Sequence, residues 1–321
     1  MMPDRLFQRA CAFMPAMLFR GLIAGAAIAV CLSGASVAVS QDDEDKAKGV
    51  PGVVTTADRW DIHYTYWESP MGKEAPVVIL LHGKGQARLV WKALPLARDL
   101  AKQQYAVIAV DLRKHGESKA SEEASVQARS SKLTKNDYGG MFRSDLEAIK
   151  KFIRSEHQAK RLNMRKLGVV ATDMSTAIAL NWAASDWSKK PYDDAPVASA
   201  RTPRGQDVQA LVLVSPVDSL SGLGTIDATR YLRGTGISAL LLYSNKTSNE
   251  KRTATKMYAQ LGGQQQNKVD KRIHSYGFDL KLSGTNLIGR HPQLQPAIKK
   301  FLDDHVKSHV APWKDRQSRL K

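Results

Sequence analysis

Val77-Val-Ile-Leu-Leu-His-Gly-Lys-Gly85 and Tyr105-Ala-Val-Ile-Ala-Val-Asp-Leu-Arg-Lys-His-Gly-Glu-Ser118 are the stretches on which the fold turns. Pro76–Leu81 and Tyr105–Val110 are short apolar runs without polar alternation, the pattern of strands buried on both faces. His82-Gly83 follows the first run at once, and Asp111 ends the second. Between them Leu89–Lys102 places Leu89, Trp91, Leu94, Leu96 and Leu100 where a helix would turn them toward a sheet.

The same alternation continues outward. Phe142, Leu146, Ile149, Phe152 and Ile153 mark one face of a helix. Leu167–Ala171, Val208–Val214, Ile237–Tyr243 and Val269–Tyr276 read as further strands. Ala177–Ala184 and Glu250–Leu261 read as helices, and a closing helix carries Leu294, Ile298, Phe301, Leu302 and Val306. Alternating strands and helices predict an α/β protein, with a mostly parallel central sheet flanked by helices on both faces. Trp60–Trp67, with Ile62, Tyr64 and Tyr66 alternating, adds an antiparallel edge strand. No internal repeat is visible.

The two opening stretches resemble a known family. Val77–Gly85 is similar to the third strand and oxyanion loop of the α/β-hydrolases. Asp111–Ser118 is similar to their Asp-x-Arg-Gly-His-Gly-x-Ser turn, with Lys114 in place of one glycine. The resemblance runs from about Trp60 to Val306 in strand order and loop lengths, and it implies an α/β-hydrolase fold without a large cap domain.

In that family a serine sits on a tight Gly-x-Ser-x-Gly turn between strand and helix. The equivalent stretch here is Val169-Val-Ala-Thr-Asp-Met-Ser-Thr-Ala177. Ala171 and Ser175 hold the glycine positions, and Asp173 stands where the serine belongs. The family's acid follows the strand Ile237–Tyr243, where this chain has Ser244-Asn-Lys-Thr247, so Thr247 or Ser248 replaces a carboxylate. The family's histidine follows the last strand, where Leu282-Ser-Gly-Thr285 puts Ser283 in its place. His82, Gly83 and Lys84 form the oxyanion loop by this resemblance, with the Lys84 and Met174 amides as the donors.

A serine triad needs an imidazole to take the hydroxyl proton and a carboxylate to hold the imidazole. Asp173 needs no such proton transfer, and a carboxylate can itself be a nucleophile. Haloalkane dehalogenases and epoxide hydrolases, of the same superfamily, place aspartate at the elbow. They also keep a histidine, resemble Gly-x-Asp-Trp-Gly there, and carry a substantial cap; here Met174 follows the aspartate and only Asp218–Gly236 separates the relevant strands. Asp218 matches the dehalogenases' alternative acid position. His291, expected inside the last helix, and His274, expected in the last strand, are poorly placed to replace the histidine, and His115 is expected to brace the turn around Asp111. Two readings follow: a catalytically degenerate protein with a binding role, or an active ester-type hydrolase using Asp173.

Residues 1–40 read as a signal peptide, with Arg5, Arg9 and Arg20 before the uncharged Gly21–Val39 and cleavage after Ala38 or Ser40. The rival reading is an uncleaved membrane anchor. Either implies export, to the periplasm, cell envelope or exterior. Residues 41–58 read as a linker, 59–310 as the α/β domain and 311–321 as a basic tail. Both cysteines, Cys11 and Cys31, lie in the leader, so the remainder has neither a disulfide nor a thiol nucleophile. Of the net charge of +17 the leader supplies +2, through three arginines against Asp4. That balance favours an anionic surface or polymer as partner, beside an unidentified small molecule, or reads as plain solvated surface. No zinc-finger, RNP or basic-heptad pattern speaks for nucleic acid. No phosphate loop or metal spacing is present, and no cofactor is expected.

Overall fold

A computed structural model describes residues 49–120, 130, 132–266 and 271–320. The leader and the first part of the linker lie outside these residues. Ten strands lie among the described residues: β1 (Val50–Thr55), β2 (Asp61–Trp67), β3 (Val77–Leu81), β4 (Ala106–Val110), β5 (Leu167–Thr172), β6 (Val208–Val214), β7 (Ser219–Leu220), β8 (Leu223–Gly224), β9 (Ser238–Ser244) and β10 (Ile273–Phe278). Eight form one sheet in the order β1-β2-β4-β3-β5-β6-β9-β10, while β7 and β8 make a separate small ribbon. β1 and β2 run antiparallel; every pairing from β4 to β10 is parallel.

Helices cover both faces, three of them (Lys135–Gly140, Ile226–Arg233 and Gly284–Arg290) beyond those expected from sequence. They are α1 (Val90–Ala93), α2 (Leu96–Lys102), α3 (Lys135–Gly140), α4 (Leu146–Gln158), α5 (Met174–Ser188), α6 (Ile226–Arg233), α7 (Ser248–Gln260), α8 (Gly284–Arg290) and α9 (Leu294–Leu302). Because side chains alternate along a strand, β3 feeds two cores. Val77, Ile79 and Leu81 join Leu146, Ile149, Ile153 and Trp182 of α4 and α5. Val78 and Leu80 join Trp91, Leu96 and Leu100 on one side, with Ile298 and Leu302 of α9 on the other. Each such residue is fully buried, contributing roughly 1.5–3 kcal/mol, which explains why these strands lack polar alternation.

Three of these elements differ notably from the sequence expectation. The helix expected over Leu89–Lys102 is split, because Pro95 pushes Leu94 into extended backbone at ψ 133°. The last strand spans Ile273–Phe278 rather than Val269–Tyr276, and residues 269 and 270 lie outside the described set. Part of the expected linker is strand: β1 occupies 50–55, so β2 is not the edge. Most β1 side chains are exposed or half-exposed, so no hydrophobic alternation announced it.

The expected basic tail is not a loose solvated one. Asn163 donates to the Ala311 carbonyl at 2.8 Å, Trp313 stacks on His157 with ring centres 4.9 Å apart, and Arg316 is buried against Asp207. No helix among the described residues is long and apolar enough to cross a membrane.

Candidate active site

β5 ends at Thr172 and α5 begins at Met174, which leaves Asp173 alone on the turn with φ 53° and ψ −123°. Its amide donates to the Val214 carbonyl at 2.9 Å. Its carbonyl accepts from the Thr176 amide at 3.1 Å and the Thr176 hydroxyl at 2.7 Å. Ser175, in the second glycine position, is fully buried. Its Oγ accepts from the Thr172 amide at 2.9 Å and lies 3.1 Å from the Leu81 carbonyl, tying the turn to β3.

A side chain at positive φ is strained by roughly 1–2 kcal/mol. Asp173→Gly is therefore expected to be more stable than Asp173→Ala by about 1 kcal/mol in urea unfolding, since only glycine relaxes at this φ. Equal stabilities would show that the turn stores no strain.

The oxyanion loop lies over this turn. A Cβ on Gly83 would come 3.3 Å from the Asp173 Cβ, so the loop backbone approaches the elbow closely. The Lys84 amide points at the Asp173 carboxylate, 3.4 Å from Oδ2. One of the two donors expected to receive a substrate oxyanion thus faces the protein's own negative charge. His82 is a brace below the loop, fully buried. Its Nε2 accepts from the Leu112 amide at 3.2 Å, so Nδ1 carries the hydrogen and donates to the Gly83 carbonyl at 2.8 Å. Burial pushes its pKa down to about 4, and with both nitrogens engaged it is unavailable as a base.

The loop expected to carry the histidine does reach the elbow. A Cβ on Gly284 would lie 3.8 Å from the Asp173 Cβ, and the Gly284 amide donates to Ser215 Oγ at 2.8 Å. Ser283, just before it, stands at the start of α8 in extended backbone. Thr247 precedes α7, its hydroxyl 3.4 Å from Ser244 Oγ. The nearby Glu250 carboxylate is turned back, accepting the Ser244 amide at 3.1 Å.

Asp218 lies between β6 and β7. It is half-exposed, its carboxylate is 3.8 Å from Lys256 Nζ, and no hydrogen bond or ion pair links it to Asp173 or to a histidine among the described residues. Directly after it the chain forms the small β7–β8 ribbon.

None of the eight histidines hydrogen-bonds Asp173 among the described residues. His115 Nδ1 lies 3.0 Å from the Arg113 carbonyl, within the turn it was expected to brace. His274 is in β10 as expected, with Nε2 3.0 Å from the Lys271 carbonyl. His291 lies between α8 and α9 rather than inside the last helix, edge-on to Phe278 at 4.5 Å.

Two neighbours were not foreseen from sequence. Gln86 bridges the loops, accepting the Gly83 amide at 3.1 Å and donating to Thr285 Oγ1 at 2.7 Å. Tyr138 of α3 is buried, and its phenol is pushed up by burial, then by the Asp173 and Asp137 charges. Neither carries a motif signal, because both meet the elbow only through long-range packing. Among the described residues no group of three His, Cys, Asp or Glu could hold a metal ion. Cavities of about 590 and 360 Å³ open elsewhere, the first beside Trp60, Arg113 and Arg143; Asp173 lines neither.

The sheet order and the strand-to-helix elbow agree with the family match: a model of the alpha/beta hydrolase fold matches residues 76–320. The chain belongs to the alpha/beta hydrolase fold family. Among solved structures, this hydrolase-fold chain is similar to an esterase from Pyrococcus furiosus, at 16% identity and TM-score 0.57, covering 82% of this chain and 95% of that one. A dienelactone hydrolase from Anabaena variabilis is similar at 16% identity and TM-score 0.53, covering 80% and 95%. At such identities the likeness is one of fold alone. No curated protein matches the chain by sequence.

Proposed function

We propose that this α/β-hydrolase-fold chain is catalytically silent, keeps the elbow as a structural turn, and serves a binding role after export. The observation that carries the reading is Asp173 on the elbow with no histidine hydrogen-bonded to it among the described residues. A serine nucleophile is missing, and so is the base that would activate it. An aspartyl ester, if formed, would lack the base that activates water to release it. The Lys84 amide already faces the Asp173 carboxylate, and that charge would repel a developing oxyanion.

The full chain incubated with p-nitrophenyl acetate and butyrate should release nitrophenol at the buffer rate, and Asp173→Ala should change nothing. Turnover abolished by Asp173→Ala overturns the proposal. It would instead favour an Asp173-based hydrolase, the reading supported by the retention of a strained elbow; a substrate ester on Asp173 in the peptide mass spectrum would identify it. Export is read from the leader, and recovery of the protein only in the cytoplasmic fraction would refute it. Binding to an anionic polymer through the net positive charge should weaken steeply with added salt.

A further inference from the structure

Away from the elbow, a cavity of about 360 Å³ opens between β2 and α4, with the start of β1 closing one side. That volume suits a small molecule. Tyr64 and Tyr66, two apart on β2, turn to the same face. Phe152 of α4 packs between them, its ring centre 4.7 Å from Tyr64 and 5.3 Å from Tyr66, the latter contact edge-on. The Tyr66 ring is buried, yet its hydroxyl has no hydrogen-bond partner among the described residues. Leaving such a group unpaired costs about 1–3 kcal/mol.

The charges around this hydroxyl are unbalanced. Glu156 is buried and held by Arg161, whose Nε is 2.6 Å from one carboxylate oxygen. Glu68 stands exposed at the rim, so two carboxylates face one guanidinium. The Tyr66 phenol registers the excess. Burial raises its pKa most, and Glu156 and Glu68 raise it further, each by more than Arg161 lowers it. Aromatic walls, a spare oxygen and net negative charge together favour a cation with an apolar body.

We infer that this cavity binds a small organic ammonium, whose N–H donates to Tyr66 Oη while Glu68 supplies the counter-charge and the aromatic rings hold the apolar portion. The site is separate from the elbow and independent of whether Asp173 has any chemistry. Calorimetric titration of the full chain with 2-phenylethylammonium chloride, and with neutral 2-phenylethanol as its isostere, tests the inference.

The ammonium should bind saturably at one site, and the alcohol about tenfold more weakly. Tyr66→Phe and Glu68→Gln should each weaken ammonium binding about fivefold, as expected for the loss of one hydrogen bond or counter-charge. Tyr66→Phe should keep or raise the melting temperature, since it deletes an unpaired buried hydroxyl; lost affinity is then not lost folding. Absence of saturable binding, equal binding of the alcohol, or affinity unchanged in both variants overturns the inference. So does weakening by Asp173→Ala in place of these variants, which would put the ammonium at the elbow.

Discussion

Lys150→Met should lower the stability of the fold by about 3–5 kcal/mol, the loss expected when one partner of a buried ion network is removed. Lys150 lies on the inward face of α4 and is 1% exposed. Its ammonium contacts Asp186 of α5 and lies 2.7 Å from Asp207, just before β6. The opposite side of Asp207 is paired with Arg316 from the C-terminal segment. Two acids and two bases from four parts of the chain thus share one dry site. Burial works against the ammonium, but Asp207 and Asp186 outweigh it and hold the Lys150 pKa above its usual value.

Removing Lys150 leaves two buried carboxylates against one guanidinium. Adding Asp186→Asn restores the balance, and the asparagine oxygen can still accept the Asp207 and Val208 amides that Asp186 now accepts at 2.7 and 3.2 Å. The double variant should therefore recover part of the loss in chemical unfolding. A loss below about 1 kcal/mol in the single variant, typical of exposed pairs, would mean that water reaches the site.

His82 should make the fold acid-sensitive. Its folded pKa of about 4 lies below the ordinary 6.5, so as pH falls through that interval the unfolded chain takes the proton first. Stability from the neutral imidazole is complete above pH 6.5 and is lost toward pH 4, amounting to about 3 kcal/mol. Burial depresses His115 and His157 as well, and they act in the same direction. Asp145 opposes them: burial pushes it up to about 6, so protonation there favours the folded chain as pH falls. The informative quantity is therefore the difference between wild type and His82→Asn. The variant should be less stable at pH 7, and its disadvantage should shrink by about 3 kcal/mol by pH 4. A difference independent of pH would mean that His82 does not titrate on unfolding.

Much of the framework was legible in sequence because its signals are local. Uninterrupted apolar runs at Val77–Leu81 and Ala210–Val214, bounded by turn signals, read as strands with both faces covered. Small residues at Ala171 and Ser175 leave room for a tight turn, which located the elbow at Asp173. The β1 strand was not legible, because its side chains are largely exposed and its pairing with β2 is made through backbone. The role of Ser175 was only half visible: smallness could be read, but its hydroxyl's tie to Thr172 and β3 could not.

For the elbow, the sequence by itself determined that the residue on the strand-to-helix turn is Asp173 and that the residue opening the last loop before α8 is Ser283, since these are matters of residue identity. Tertiary structure alone decided that no histidine hydrogen-bonds Asp173 among the described residues, that the Lys84 amide faces the Asp173 carboxylate, and that Asp218 lies beside Lys256. It also decided that Arg316 is buried beside Lys150 rather than free in a basic tail. The physical reason is range. Periodicity and turn chemistry act over a few residues, whereas each of these contacts joins segments tens to hundreds of residues apart and exists only once the sheet has brought them together.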